Sequence, residues 1–337
     1  MLRPLGRSVQ RRVMRLLNSS PVAVLEWGGW DKFLIQRLCP DALRIRVRPG
    51  DRAQPLLAAL PLSTRIVIVH IDLTMATVLI PDIEVLARQL RERGTCVLNG
   101  TGSDTGKGAL QQWITGHGLP GIRAPRDGPA DERLIVKTML NAGGAPERRL
   151  LAQIQDPHLT PPSLETLIST ARGDSLGYQV CRRRDISDQV WDDPTLTVER
   201  FIENEEGVYF RVYSLGHTAS VVEAWSDYEI KKLVLPVRRR VDHFFSFEGA
   251  DAPRLVGATL NGVPCGDLPS ERAARAAVIA RTAAKALGAD FHATDCVVDD
   301  TGRITPVDVN KTPYWGDDIR PGVLEHLRLG LDRFLGG

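Results

Sequence analysis

The 337-residue sequence has few lysines, few cysteines and no long apolar stretch. Its five cysteines are scattered and form no CxxC pair, which excludes a disulfide framework and argues against a cysteine zinc site. The most apolar stretch, residues 66–80, contains His70 and Asp72 and is too short to cross a bilayer. We therefore expect no membrane span, and we expect the reducing cytoplasm as the location.

Basic and acidic residues nearly cancel, at 43 against 41, so the formal net charge is only +2. This balance argues against nucleic acid as a partner, because non-specific binding to it needs many uncompensated positive charges. Only 7 of the 43 basic residues are lysines, which leaves 36 arginines. We attribute most of this skew to genomic base composition, but it makes the position of each lysine informative.

The first twenty residues contain five arginines and no acid, with apolar residues at helical spacing. This pattern favours a basic amphipathic helix that packs on the following domain. A membrane-surface helix or a transit peptide is the alternative.

From residue 22 to about 120, short apolar runs alternate with amphipathic segments, which is typical of a small parallel sheet with helices on its faces. The predicted strands are 22–25, 43–47, 66–71 and 96–98, and the predicted helices are 32–38, 54–60 and 82–93. Ligands of such sheets bind beyond the carboxyl ends of the strands. The polar and aromatic residues there, candidates to contact an amine, are Glu26, Trp27, Asp31, His70 and Asp72.

The Gly-, Pro- and charge-rich stretch 118–131 predicts a boundary, after which β-type runs and helices mix. We expect an α/β domain over residues 1–120, followed by an α+β half made of two subdomains, 121–202 and 203–337. A long helix is predicted over 271–287.

A predicted hairpin near residue 300 carries three oxygen ligands. With Val298 opposite Arg303 across the turn, Asp295 would lie opposite Pro306, and Asp308 would be its diagonal neighbour on the same face as Asn310. Two carboxylates and an amide on one face suit Mg²⁺. The alternative is an ordinary hairpin with a solvated polar face.

The motif Asp308-x-Asn310-x-x-Pro313, thirteen residues after Asp295, resembles the metal-binding hairpin of the ATP-grasp superfamily. Other segments of the second half resemble further elements of that family in the same order. The resemblance implies an N-terminal pre-ATP-grasp α/β domain followed by a two-subdomain ATP-grasp fold.

The resemblance also implies a set of nucleotide-binding residues. Lys137, at the end of a strand, would grip an ATP phosphate, and Lys107 would do the same, although a helix start is an alternative for it. Glu199 would accept the adenine amino group, and the backbone near Ile202 would bond the ring. Glu206 would bind the ribose, with Glu203 and Glu205 as rivals. Gly143 and Gly144 would belong to the flexible loop over the phosphates.

Two arginines are candidate catalytic residues, with Asn310 as the third. Arg211 resembles the arginine of a strand in the amino-acid ligase branch, although Tyr209 stands where an acid is frequent. Arg240 belongs to a triplet near the expected substrate cavity and is the better candidate to hold a carboxylate. Ala293 replaces an oxyanion-binding arginine of the D-alanine ligases, with His292 as an alternative for that role. Lys311 follows Asn310 where a small residue is common.

The resemblance implies a ligase that uses ATP and two Mg²⁺ ions to join a carboxylate to an amine or thiol through an acyl phosphate. Its substrates would be small molecules or a peptide. An ATP-grasp kinase and a non-catalytic nucleotide-binding regulator are the alternatives. Relatives are commonly homodimers, and the sequence leaves the oligomeric state open.

Overall fold

The structure is a computed structural model that describes residues 20–27, 33–71, 79–101, 106–140, 178–231, 237–249, 253–266, 270–314 and 320–336. The basic segment at residues 1–19 lies outside this range, as do Gly143 and Gly144. Among the described residues, no helix is long and apolar enough to cross a membrane.

The first sheet is parallel and has four strands in the order β2-β1-β3-β4. Its strands are β1 (Val22–Glu26), β2 (Leu43–Arg46), β3 (Ile66–His70) and β4 (Cys96–Leu98). The helices between them are α1 (Leu34–Leu38), α2 (Ala53–Ala59) and α3 (Ile83–Glu92). All five residues of β3 are buried because both faces of the sheet are covered. The predicted α/β arrangement is confirmed.

A small antiparallel sheet has the strand order β6-β5-β7. It consists of β5 (Arg133–Thr138), β6 (Gln179–Arg182) and β7 (Leu196–Arg200). A 3₁₀ turn (Arg183–Asp185) and the short helix α5 (Asp188–Trp191) separate its last two strands along the chain. Helix α4 (Lys107–Gly116) precedes this sheet.

The largest sheet has seven strands in the order β12-β11-β10-β9-β8-β13-β14 and is antiparallel. Its strands are β8 (Val208–Leu215), β9 (Thr218–Trp225), β10 (Arg239–Phe247), β11 (Pro253–Leu260), β12 (Val263–Pro264), β13 (Phe291–Val298) and β14 (Ile304–Asn310). Helices α6 (Glu271–Ala286) and α7 (Pro321–Gly336) complete the second half. The expected α+β character is confirmed.

Helix α6 covers one face of the large sheet with a row of alanines. Ala273, Ala276, Ala277 and Ala280 follow the three-and-four spacing of one helix face and pack on Phe210 and other buried strand residues. Small side chains let the helix axis approach the sheet closely. The opposite face of the sheet is therefore the one left for the cleft and for the N-terminal half.

The parallel sheet packs against the large sheet and α7 through one continuous core that includes Val24, Ile68, Tyr213, Phe291 and Leu327. Helix α4 follows β4 in sequence, but its Leu110 and Ile114 pack on Ala283 and Ala284 of α6. Residues that precede the predicted boundary at 118–131 and residues that follow it are therefore buried together in the same cores. The domain limits 1–120, 121–202 and 203–337 stay predictions.

Candidate nucleotide and metal site

A row of charged side chains crosses the large sheet on the face opposite α6. Asp308 pairs with Asp295, Asp295 with Arg211, Arg211 with Val222, and Val222 with Asp242. Directly opposed residues of antiparallel strands project from the same face. Five neighbouring strands thus bring together three acids and an arginine that are far apart in the sequence.

The β13–β14 hairpin differs from its predicted register. Val298 pairs with Ile304 instead of Arg303, and Asp295 pairs directly with Asp308 instead of Pro306. Two one-residue differences add up to this result: the turn already places Val298 opposite Ile304, and a register shift between Asp295 and Cys296 accommodates one extra residue of β14. The two carboxylates are therefore immediate neighbours across the hairpin and not diagonal ones.

The turn of this hairpin is held by the side chain of Asp299. Its Oδ1 accepts hydrogen bonds from the Thr301 amide at 3.0 Å and from the Arg303 amide at 2.9 Å. Gly302 has a φ of 80°, a backbone conformation that glycine adopts without a steric cost. The Asp-Asp-Thr-Gly segment therefore forms a turn, as predicted, and this turn presents the two acid-bearing strands side by side.

Arg211 is tied to Asp295. Its Nη1 donates to both carboxylate oxygens, at 3.1 and 2.9 Å, and its Nη2 reaches the Tyr314 carbonyl at 3.5 Å. Burial acts to lower the pKa of Arg211, but its interactions with Asp295, Tyr213 and Asp308 together outweigh burial and raise the pKa. Arg211 therefore stays a guanidinium cation beside the paired acids.

The donor set of Asp295, Asp308 and Asn310 fits Mg²⁺. Asn310 stands on the strand of Asp308, two residues on, opposite Ala293, and its Oδ1 accepts from the Thr312 amide at 2.8 Å. The described part of the chain contains no cluster of three or more His, Cys, Asp or Glu side chains able to hold a metal. A magnesium ion here would accordingly rely on two carboxylates and an amide, with phosphate and water oxygens as its other ligands.

A cleft opens beside these acids, between the small sheet and the large one. It is lined by aliphatic side chains, by four cationic ones and by three acids, with two aromatic residues. The lining residues are Lys107, Ile122, Ile135, Lys137, Tyr178, Arg200, Phe201, Ile202, Glu229, Ile230, Lys231, Asp295, Val297, Val307 and Asp308. A cleft that combines apolar walls with convergent polar groups is typical of a small-molecule site.

Lys137 and Glu199, predicted to contact opposite ends of a nucleotide, contact each other. Lys137 Nζ forms an ion pair with Glu199 Oε2, and Glu199 is completely buried. Antiparallel pairing of β5 with β7 places Ile135 opposite Glu199 and Lys137 opposite Thr197. These side chains therefore share the face that lines the cleft.

Tyr178 is a cleft residue that the sequence interpretation missed. Lys107 Nζ lies 5.9 Å and Lys137 Nζ 5.8 Å from the centre of its ring, at the limit of a cation–π contact. Burial raises the pKa of Tyr178, and the negative charges of Asp308, Asp295 and Glu199 add to this effect. The phenol thus stands among the lysines and acids of the site, and no motif signalled it.

The predicted ribose acids lie away from the cleft lining. Glu206 pairs with Arg272, whose Nη1 lies 2.7 Å from its Oε2. Glu203 pairs with Arg133 at 2.7 Å, and the amide of Glu205 donates to Asp300. Glu229, on the loop after β9, is one of the three acids that do line the cleft.

Arg240 is buried and donates from Nε to Asp242 Oδ1 at 2.8 Å. Asp242 also contacts Arg320 Nη1 at 3.5 Å through its other oxygen. Asp242 belongs to the row of Asp295 and Arg211, so Arg240 lies on the same face, two strands from Arg211.

Two other sequence candidates lie on the face opposite that of Asp295 and Asp308. His292 is buried, pairs with Ser214 and contacts Thr294 Oγ1, and burial lowers its pKa to about 3. Lys311 donates to Thr101 Oγ1 at 3.0 Å, and burial lowers its pKa to about 8.

The strand-end candidates also have structural contacts. His70 is buried beside Phe33 and Phe291, and Glu26 pairs with Arg44 at 2.9 Å. Trp27 is buried in the core of the parallel sheet. Asp31 and Asp72 lie outside the described residues.

No protein-family model and no curated protein matches the chain, but solved structures do. The ATP-grasp ligase PsnB, complexed with a phosphomimetic variant of a minimal precursor, Mg and ADP, aligns over 94% of this chain and 98% of its own, with a TM-score of 0.50 and 13% identity. An L-amino acid ligase from Bacillus licheniformis aligns over 93% and 73%, with a TM-score of 0.49 and 11% identity. The ATP complex of D-alanine–D-alanine ligase from Bacillus anthracis aligns over 94% and 95%, with a TM-score of 0.42 and 12% identity. The likeness to PsnB is one of fold, and it agrees with the parallel sheet, the small antiparallel sheet and the large sheet described above: the chain has the ATP-grasp fold.

Proposed function

We propose that the protein is an ATP-dependent ligase that joins a carboxylate to an amine through an acyl phosphate, with release of ADP and phosphate. The observation that carries the proposal is the row Asp308–Asp295–Arg211, which lies at the edge of an apolar cleft that also holds lysines. One site thereby combines ligands for a cation, an arginine for developing negative charge and a pocket for a planar base.

The nucleotide would bind between the two sheets. Ile122, Ile135 and Ile202 on one side and Val297 and Val307 on the other supply apolar contacts for the base. Lys107, the first residue of α4, brings a cation to the same cleft for a phosphate.

Asp295, Asp308 and Asn310 would hold Mg²⁺, and we propose two ions, as the resemblance implies. The metal would neutralise charge on the phosphate oxygens, which matters because phosphoryl transfer depends on positioning and electrostatics more than on covalent help from the protein.

Arg211 would stabilise the transferring phosphoryl group. Its two hydrogen bonds to Asp295 fix the direction of the guanidinium, so it needs no reorganisation during the reaction. In the first step a carboxylate oxygen of the substrate attacks the γ-phosphorus of ATP, and ADP leaves, which gives the acyl phosphate. In the second step the amine nitrogen attacks the acyl carbon, phosphate leaves, and the nitrogen gives up a proton.

The acid and the amine are the less defined part of the proposal. Arg240 is our candidate to hold a substrate carboxylate, oriented by Asp242. PsnB is complexed with a precursor, and by analogy of fold we propose peptide carboxylates as the first class to screen, ahead of free amino acids. We also propose a cytoplasmic location. We propose a homodimer because relatives are commonly homodimers.

Hydroxylamine trapping tests the reaction class. The protein is incubated with Mg²⁺, ATP, hydroxylamine and a panel of peptides and amino acids. We expect hydroxamate to form in step with ADP, and we expect Asp308→Asn to abolish both. A stable phosphoester without hydroxamate would identify a kinase. Binding of ADP without any turnover would identify a nucleotide-binding regulator.

A further inference from the structure

Lys311 ties the end of the metal hairpin to the segment that follows β4. It comes directly after Asn310, the last proposed metal ligand. Its carbonyl accepts a hydrogen bond from Asn99 Nδ2 at 3.3 Å, and its Nζ donates to Thr101 Oγ1 at 3.0 Å. The backbone and the side chain of Lys311 are therefore both held by the same short segment of the N-terminal half.

This segment leads into the helix that carries a proposed phosphate contact. Thr101 lies a few positions before Lys107, which is the first residue of α4. The amide of Lys107 donates to the Met139 carbonyl at 3.2 Å, and Leu110 of the same helix packs against α6. Lys311 thus stands where the strand of Asp308 and Asn310 meets the segment that presents Lys107.

The contact between Lys311 and Thr101 is tightly enclosed. Lys311 is only 1% exposed. The hydroxyl of Thr101 also lies 3.3 Å from the Leu287 carbonyl oxygen and 3.4 Å from that of Gly288, at the C-terminal end of α6. A Cβ at position 288 would lie 2.7 Å from this hydroxyl, so Thr101 fits there because Gly288 has no side chain. Small displacements of Lys311 would therefore be passed on to its neighbours.

A lysine is energetically unfavourable at this position. Among the acids that the structure describes, none forms an ion pair with Lys311, and its side-chain partner is a neutral hydroxyl. Burial lowers the pKa of Lys311 although the negative charge of Asp290 opposes this effect, so the ammonium is less stable here than in water. An apolar side chain of similar length would avoid the desolvation of a charge. Stability of the fold therefore does not explain why residue 311 is a lysine.

We propose that Lys311 is a positioning residue, which fixes Lys107 relative to the metal ligands of β14 and does not stabilise the fold. Lys107 and the metal would act on the same phosphates, so their separation has to be held closely, to about 1 Å or better. The inference rests on the proposed function, since it assumes that the site binds a nucleotide with Mg²⁺.

The variant Lys311→Met separates a positioning role from a stabilising one, because the two roles predict different results. Dissociation constants of adenosine and of ADP, both with Mg²⁺, are measured by calorimetry, together with the midpoint of urea unfolding. We expect ADP to bind about tenfold more weakly, because a contact with a charged phosphate is misplaced, while adenosine stays within about twofold. The urea midpoint should stay the same or rise, because a buried charge is removed.

The matched control is Lys285→Met, at an exposed position near the end of α6. It removes the same charge from the same region and should change neither dissociation constant by more than about twofold. Two results for Lys311→Met would overturn the proposal: ADP affinity within twofold of the unmodified protein, or a lower urea midpoint.

A double variant tests whether Lys311 acts through Lys107. In the Lys107→Met protein the displaced group is already missing, so adding Lys311→Met should weaken ADP by less than about twofold. A further tenfold loss in that protein would contradict the inference.

The variant Thr101→Val tests the contact from its other side. It keeps the shape of the side chain and removes the acceptor of the ammonium, so we expect weaker ADP binding together with a lower urea midpoint. Unchanged ADP affinity in Thr101→Val would likewise contradict the proposed role.

The same measurements keep the two proposals apart. If the unmodified protein does not bind ADP, the proposed function fails. If it binds ADP and Lys311→Met binds it equally well, the proposed function stands and this inference alone fails.

Discussion

Arg211 and Asp295 face each other across β8 and β13, and Nη1 of Arg211 lies within hydrogen-bond distance of both carboxylate oxygens, at 3.1 and 2.9 Å. On its other side Asp295 faces a second acid, Asp308. Two like charges directly opposed across a strand pair repel each other. Arg211 compensates part of that repulsion through its contact with Asp295.

Substitution of the metal-site residues should remove turnover without unfolding the protein. We expect Asp308→Asn and Asn310→Ala each to lower acid-dependent ATP turnover by roughly two orders of magnitude, because each removes a proposed metal ligand. The Mg²⁺-dependent gain in ADP affinity should disappear as well, which calorimetry would detect. Asp332→Asn, at an exposed position of α7, is the control and should change neither quantity. Full activity of both site variants would refute the metal assignment.

Two buried histidines should make the folded state sensitive to acid. Burial lowers the pKa of His70 to about 3 and that of His292 to about 3. In the unfolded chain the pKa of a histidine is about 6.5, so below that pH the unfolded chain binds protons that the folded chain does not bind. The unfolding free energy therefore falls progressively from pH 6.5 to pH 3. Each histidine should lower the unfolding free energy at pH 4 by on the order of 3 kcal/mol relative to neutral pH.

Urea unfolding between pH 7 and pH 4 measures this effect. His292→Gln should make the dependence of the unfolding free energy on pH shallower, since one of the two groups is gone. His117→Gln, at an exposed position, should leave the slope unchanged. An equal slope in both variants would show that His292 does not resist protonation.

Asn99 joins the end of β4 to the large sheet. Its Oδ1 accepts from the amides of Asp290 and Phe291 at 2.8 and 3.0 Å, and its Nδ2 donates to the Phe291 carbonyl at 2.8 Å and to that of Lys311 at 3.3 Å. Its φ of 57° is one that few side chains tolerate. Asn99→Gly should lose about 2–4 kcal/mol of unfolding free energy through the missing hydrogen bonds. Asn99→Ala should lose about 1 kcal/mol more through backbone strain, and an alanine variant as stable as the glycine one would contradict this account.

Gly330 lies where α7 approaches the backbone of the large sheet closely. A Cβ there would lie 2.5 Å from the Leu215 carbonyl oxygen and from Thr218 Oγ1. Gly330→Ala should therefore displace the helix and lower the unfolding free energy by about 1–3 kcal/mol. Gly116 at the end of α4 has open space around its Cβ position, so Gly116→Ala should instead stabilise by about 0.5–1 kcal/mol. Denaturant titration of both variants checks the opposite signs.

Much of the architecture could be read from local patterns. The strands of the parallel sheet, the hairpin turn at Asp299 and the long helix α6 all follow from apolar periodicity and from turn and cap residues, which act over a few positions. Alternation of side chains along a strand was also enough to put Asp308 and Asn310 on one face. The predicted hairpin also placed Asp295 on this face, but it gave Pro306 and not Asp308 as the residue opposite Asp295.

The contacts of the site depended on pairing between distant strands and on side-chain direction. The register of the turn and a one-residue bulge in the β13–β14 pairing together decided that Asp295 faces Asp308, and no local pattern predicted either of them. The pairing of β5 with β7 decided that Lys137 contacts Glu199, whereas Glu206 pairs with Arg272 and is not among the residues that line the cleft. The sequence alone thus determined which residues have the chemistry for a nucleotide and a cation, since composition and spacing act locally. Only the tertiary structure decided which of them meet, because burial and ion pairing depend on residues brought together from far apart in the chain.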